Sequence, residues 1–352
     1  MKGANATTRS RWPNHLRSLE IGTLTVWLYV SLLVVWFVLH ISLGDRVWWI
    51  ALVSIFAPYL FLPLALLVPL GLAKPSCRYW GAILLATIMF LLEYGQLHGF
   101  RATDTEKTTD SIIVMSFNVW GYSESVETAQ AIVSLETPDV VALQELSPSM
   151  AWTLAKELDE VYPYRLLEPK EGADGRGILS RYPLTDISTS VSSSLGRFAQ
   201  VVAVKVDDRV FTLYNVHLAP TMLFHYLEVN DSVAEGIRGS FRAREQQATQ
   251  LISELVDRQK PAIVAGDLNT TDQSDVYSIL VDHLQDAHCE AGKGFGHTFP
   301  AYMGSFRGIP IIPRTVRVDM IFYSSEFSAL DSQVVRDHGE SDHHPVLAEF
   351  AW

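Results

Sequence analysis

Two long stretches near the start of this chain carry no charged side chain. There is no Asp, Glu, Lys or Arg between Glu20 and Asp45, and none between Arg46 and Lys74. Each gap exceeds the ~20 residues that cross a ~30 Å hydrocarbon core. Nothing else in the sequence restricts the fold as strongly, because backbone in lipid must satisfy its own hydrogen bonds. A third apolar stretch, Trp80 to Leu97, carries Glu93 near its far end. A signal peptide accounts for a basic start and one apolar core of about 7–15 residues, not for three. The sequence therefore predicts three transmembrane helices, at about 21–43, 48–73 and 80–98. Pro58, Pro63 and Pro69 predict a kink or break in the second.

Basic residues set the expected orientation. Lys2, Arg9, Arg11 and Arg17 precede the first span, and Lys74 and Arg78 separate the second from the third. The first loop offers only Arg46, beside Asp45. Positive charge stays on the cytoplasmic side. The N-terminus is thus expected inside, and three spans place everything after Phe100 outside; two spans would leave it cytoplasmic. Residues 101–110 form a polar linker, and 111–352 have the size of one α/β domain. Residues 1–100 hold seven Lys/Arg against three Asp/Glu, and the remainder 20 against 36, a net −16. So acidic a part has no global attraction for nucleic acid or an anionic membrane. Cys77 and Cys289 fit no disulfide or zinc pattern.

Beyond the linker, short apolar strands alternate with amphipathic stretches, which argues for helices packed outside sheets. "SIIVMSFNVW" ends a buried strand at Asn118, and "PDVVALQEL" ends one at Glu145. His217, Asp267, Asn269 and Asp319 also lie at or just beyond strand ends or within their last turns. Open α/β sheets bind ligands at strand ends. Any one of these residues is more often an ordinary turn residue, but six at the ends of five strands make coincidence a poor explanation. "SDHHPVLAEF" (341–350) adds Asp342, His343 and His344 ahead of a final strand opened by Pro345. Taken alone, that stretch reads as a polar turn before an edge strand.

"SFNVWG", "LQEL", "LSRYPL", "NVHLAP", "GDLN", "RVDMIF" and "SDHHPV" occur in the order seen in the endonuclease/exonuclease/phosphatase superfamily, which 111–352 resembles along nearly its whole length. The helical N-terminal part resembles the membrane-anchored branch associated with glycopeptide-antibiotic resistance. The resemblance implies a four-layer sandwich of two mixed β-sheets flanked by helices. It implies a magnesium or manganese ion held by Glu145 and the amide oxygen of Asn118, with Asp342 at or near the metal; hard oxygen ligands suit either ion. Asp267 would orient and deprotonate water, and Asn269 would hold the phosphate beside it. His343 would act at the phosphate as base or charge-stabilising donor, with Asp319 fixing its tautomer. His217 would bond a phosphoryl oxygen or help the leaving group. His344 is expected to be structural or solvent-facing, and Ser180 has no evident base. Arg181 and Pro183 shape a strand turn, with Arg181 near enough to the site to be a candidate phosphate contact. Met320 replaces the aromatic residue or His often found there, which bears on pocket shape rather than chemistry.

Two expected loops, 219–227 and 309–313, are unusually apolar and adjoin His217 and the Asp319 strand. Either they cover a secondary core or they meet a bilayer or a lipid tail. Arg238, Arg242 and Arg244, or Arg307, Arg314 and Arg317, are candidate anion contacts, or else solvated or paired. The leading expectation is a membrane-anchored, metal-dependent phosphoesterase acting outside the cytoplasmic membrane on a lipid or lipid-linked phosphate. A nuclease is the runner-up, disfavoured by the acidic charge. An inactive binding module is the third reading, disfavoured because no expected catalytic position is replaced.

Overall fold

The computed structural model describes residues 14–73, 76–95, 111–134, 137–191, 195–221, 232–301, 305–306, 309–310 and 314–352. The expected linker, most of the apolar loop 219–227, residues 311–313 and Arg307 lie outside the described residues. The chain forms two compact units. One comprises Met1–Leu43 with Ala57–Gly95, the other Gly44–Phe56 with Gln96–Trp352.

In the first unit, helix Asn14–Leu43 and helix Cys77–Tyr94 are the continuous apolar elements. Stretches Ile21–Arg46 and Cys77–Tyr94 are each long and apolar enough to cross a membrane. The expected second span is not one helix. Trp48–Ile55 and Ala57–Leu72 meet at an angle of 71°, so two continuous spans stand where three were expected, and a third exists only if the bent pair counts as one. The break falls where Pro58 opens a short 3₁₀ turn (Ala57–Phe61), and a proline there has no N–H to continue a helical ladder. Tyr29 donates to the Leu60 carbonyl at 2.9 Å and Tyr79 to that of Leu67 at 2.6 Å, tying this part together.

The second unit is a sandwich of two six-stranded mixed sheets. One has the order β13 (Ser328–Val334), β14 (Val346–Ala351), β1 (Ser111–Asn118), β2 (Val140–Gln144), β4 (Arg176–Ser180), β3 (Tyr164–Glu168). The other runs β5 (Leu184–Asp186), β6 (Ala199–Val206), β7 (Arg209–His217), β8 (Ala262–Asp267), β12 (Asp319–Tyr323), β9 (Gln285–Asp286). Each sheet contains one parallel pair, β1 with β2 and β7 with β8, and a separate antiparallel ribbon pairs β10 (Ser305–Phe306) with β11 (Ile309–Pro310). Strands buried on both faces read as unbroken apolar runs, which is why "VVALQ" and "AIVAGD" lack alternation. Val114, Ala142, Leu213, Ile263, Ile321 and Ala348 belong to the core between the sheets. Helix Val233–Arg258 and helix Asp275–Val281 cover the outside of the second sheet through Leu251 and Leu280. Val126–Ile132 and Pro148–Glu157 cover the first through Ile132 and Leu154. The four-layer sandwich expected from the sequence is thus present.

Residues Gly44–Phe56 fold with this second unit. Ala51 packs against Ile237 and Phe241 of helix Val233–Arg258, with Trp48, Leu52 and Ile55 around the contact. The Asp45 N–H donates to the Asp275 carboxylate at 3.0 Å, and the Asp275 N–H donates to the Asp45 carboxylate at 3.1 Å.

Candidate active site

Strand register brings the candidate residues together. His217 stands beside Asp267 across the parallel β7–β8 pair, and Asp267 stands opposite Asp319 across the antiparallel β8–β12 pair. Neighbouring strands lie ~4.8 Å apart, so three polar side chains share one edge of the second sheet. Asn118 ends β1 beside Gln144, and Glu145 follows directly. Closing the sandwich sets these two against the first three. The Asn118 amide donates to Glu145 Oε1 at 3.1 Å and to Asp267 Oδ2 at 3.0 Å, so one side chain bridges the sheets.

Three residues here adopt left-handed backbone without being glycine: Trp120 (φ 59), Glu145 (φ 55) and Asn269 (φ 51). For Glu and Trp that conformation costs on the order of 1–3 kcal/mol, and such strain collects at functional sites. It turns Glu145 out of the strand and back over it, where Oε2 accepts the Gly121 N–H at 3.2 Å. Gly121 must be glycine, since a Cβ there would lie 2.3 Å from the Gly172 carbonyl oxygen.

Asp267 is 1 % exposed. Its Oδ1 accepts the Asn269 N–H at 2.8 Å, its Oδ2 lies 3.6 Å from His217 Nε2, and His343 Nε2 is 3.8 Å away. His217 Nδ1 lies 3.2 Å from the Ala173 carbonyl, leaving a buried Nε2 with no hydrogen-bond partner, 3.7 Å from Glu145. Asn269 is anchored by a 3.0 Å bond from its Nδ2 to the Leu218 carbonyl.

His343 Nδ1 is 2.9 Å from Asp319 Oδ2. Burial works against its charged form, but the carboxylates of Asp319 and Asp267 outweigh that and push its pKa up to about 10. Burial likewise raises Asp319 and Asp342 above the ordinary carboxylate range. Three carboxylates around one imidazole therefore hold His343 as imidazolium at neutral pH. Phe299 packs its ring against it at 4.7 Å. The hydroxyl of Ser341 shapes the turn, donating to the Asn118 carbonyl at 2.6 Å and accepting the His343 N–H at 3.0 Å. His344 points away. It is buried, its Nδ1 is 2.9 Å from the Val335 carbonyl, and burial lowers its pKa to about 4. It is structural and not solvent-facing.

The donor set fits a divalent cation. Ligand atoms of Glu145, His217 and Asp267 lie within 4.8 Å of one another, as do those of Asp267, Asp319 and His343. His217 Nε2 and Asp319 Oδ1 are buried without partners, as waiting ligand or substrate contacts would be. Asn118 differs from expectation in detail. Its Oδ1 accepts the Trp120 N–H at 3.1 Å while its Nδ2 faces the carboxylates, so a metal contact through the amide oxygen requires the amide to turn over.

Three of the other expected anion contacts are occupied. Arg317 is buried and paired with Asp286 at 2.8 Å. Arg244 is buried and donates to the Ala219 carbonyl and the Thr221 hydroxyl, both at 2.8 Å. Arg181 pairs with Asp139 at 3.1 Å. Sequence reasoning missed the layer under the site. Gln144 donates to Asn215 Oδ1 at 2.7 Å, and the Asn215 amide donates to the carbonyls of Leu143 and Gly177 at 2.9 and 3.1 Å. Asn215 is two residues before His217 on one strand face, a signal the alternation of "NVH" contains. Thr298 was missed too; its hydroxyl accepts the Asp319 N–H at 3.3 Å, and nothing local marks it.

Two face-to-face mixed sheets with carboxylates and imidazoles converging at their strand ends define the class: an α/β-sandwich hydrolase with a site suited to a divalent cation. The chain belongs to the endonuclease/exonuclease/phosphatase family, whose profile matches residues 115–343. Its members hydrolyse phosphodiester bonds and generally use a divalent metal. Among solved structures, a family protein from Bacteroides thetaiotaomicron is 16% identical over 68% of this chain and 97% of its own, with TM-score 0.50. A humanized D. rerio TDP2 is 20% identical over 69% and 99%, also with TM-score 0.50. At such identities the likeness is one of fold. No curated protein matches the chain.

Proposed function

We propose that this chain is a membrane-anchored, divalent-metal-dependent phosphoesterase acting on a lipid or lipid-linked phosphate outside the cytoplasmic membrane, within the anchored branch that its N-terminal helices resemble. The observation that carries the reading is the convergence of Glu145, His217, Asp267 and His343 across the two sheets.

Glu145, with Asn118 and Asp342 beside it, would hold magnesium or manganese, which neutralises phosphoryl charge when bound. Asp267 is oriented from both sides, by Asn269 and Asn118, and takes the proton of the attacking water. Water oxygen bonds to phosphorus as the ester P–O bond breaks. His343, held as a cation by Asp319, donates a hydrogen bond to the phosphoryl group from Nε2; of its two expected roles, donor suits that charge better than base. His217, fixed through Nδ1, presents Nε2 to a phosphoryl oxygen or to the leaving group. Asn269 positions the phosphate beside Asp267.

The location is read from the three expected spans and from the distribution of basic residues. With Lys2, Arg9, Arg11 and Arg17 inside, the catalytic unit is outside. For substrate, the tether and the net −16 favour a lipid over a polyanion. The test is kcat/KM of the full chain in detergent micelles for a long-chain lipid phosphodiester, a short-chain analogue and a duplex oligonucleotide. The long chain should win; an oligonucleotide preferred, with no effect of chain length, makes the protein a nuclease.

A further inference from the structure

A cleft of about 710 Å³ opens beside the catalytic turn, lined by Lys293, Phe295, His297, Arg314, Ser332 and Arg336. Its charge runs against that of the surrounding unit. Three permanent cations line it against one carboxylate, Asp331, in a part of the chain that carries net −16. None of the three cations forms an ion pair with another described residue. The segment between Ala301 and Arg314 contains no Asp or Glu to supply one. Burial, then the nearby Arg336, lowers the pKa of Arg314. The two guanidinium groups line one cleft together. Ser332 adds an independent sign. It is 3 % exposed, lines the cleft, and its hydroxyl has no hydrogen-bond partner. Buried hydroxyls are normally satisfied.

The cleft and the catalytic centre share a wall. His297 lines the cleft, the next residue holds the Asp319 backbone through its hydroxyl, and Phe299 packs on His343. Two residues span at most ~7 Å, so the cleft opens on the order of 10 Å from the reacting centre. Paired guanidinium groups match the oxygens of phosphate bidentately, which ammonium groups do not.

We propose that this cleft is a phosphate-binding subsite, formed by Arg314, Arg336, Lys293 and the Ser332 hydroxyl, that holds a second phosphate of the substrate whose scissile phosphate lies at Asp267 and His343. The proposal rests on the function proposed above, and a binding measurement separates the two. Inorganic pyrophosphate is titrated calorimetrically into the full chain in detergent micelles with EDTA. Arg314→Ala/Arg336→Ala should weaken binding at least 10-fold, and Arg314→Lys/Arg336→Lys by less. Unchanged affinity in the alanine pair overturns the subsite whether or not the chain is an esterase. A soluble short-chain phosphoinositide phosphate and a thymidine oligonucleotide then compete for bound pyrophosphate. Displacement by either supports the subsite and names the source of the phosphate; displacement by neither overturns its role in substrate binding. Kinetically, the alanine pair should raise KM about 10-fold for a p-nitrophenyl phosphodiester bearing a second phosphate, with kcat kept. It should leave a p-nitrophenyl phosphodiester without one unchanged, and equal effects on both refute the assignment.

Discussion

Replacing Asp319 by Asn removes one charge and almost no volume, which makes it a sharp probe of the site's electrostatics. The carboxylate lies 2.9 Å from His343 Nδ1, and both groups are buried. Hydrogen bonds to charged groups are worth about 1.5–3 kcal/mol. Losing that bond corresponds to a loss in kcat on the order of 10- to 100-fold. The larger penalty known for an Asp→Asn change behind a catalytic histidine, about 10⁴, marks the ceiling if the tautomer also inverts. Steady-state rates across pH are the assay. Wild type should keep its protonated His343 to about pH 10, whereas in Asp319→Asn the alkaline limb moves toward neutrality. Stability gives a second reading in EDTA. A histidine whose folded pKa is raised stabilises fully below its ordinary value near 6.5 and loses that contribution as pH climbs to about 10. Asp319, also raised, acts with the same sign. The variant should lose this slope. A variant with near-wild-type kcat and an unmoved alkaline limb would refute the reasoning.

His344→Ala should keep most of the rate but cost about 1–3 kcal/mol in denaturant unfolding, because it strips a partner from the buried Val335 carbonyl. A 100-fold rate loss in that folded variant would mean that the neighbouring histidines are misassigned. Arg317→Met leaves Asp286 buried and uncompensated, so unfolding should come about 3–5 kcal/mol easier; wild-type stability would show that the pair is not buried in solution. For sidedness, Cys289 is a poor reporter, since its thiol sits within the Asp286–Tyr277 network. Cysteine placed at Tyr122, which is 75% exposed, should react with an impermeant maleimide in intact cells. Labelling there only after lysis would put the catalytic unit in the cytoplasm.

Much of the candidate site was legible because strand-end carboxylates and histidines stand out against apolar runs. Glu145 after "VVALQ" and Asp267 after "AIVAG" each interrupt a buried strand with a charge that has no structural need to be there. Partners were less legible, since they depend on contacts far apart in sequence. Arg317 and Arg244 look alike as exposed cations in the sequence, yet one pairs with Asp286 and the other holds the Ala219 carbonyl. The Gln144–Asn215 amide layer was hidden because amides in strands carry no charge to mark them. Residues 48–56 were absorbed into an apolar tract, since hydropathy cannot distinguish a helix facing lipid from one packed on Ile237 and Phe241. Proline positions hinted at the break, but the 71° angle is a tertiary outcome.

The proposed activity is hydrolysis of phosphodiesters at the strand-end centre with a divalent metal. Its most direct test is turnover of bis(p-nitrophenyl) phosphate by the full chain in detergent micelles, with magnesium or manganese and with EDTA, for wild type and Asp267→Asn. Metal-dependent release of nitrophenolate is expected, falling on the order of 100-fold or more in the variant, with its circular dichroism unchanged. Equal rates in the two proteins, or rates indifferent to EDTA, would contradict it.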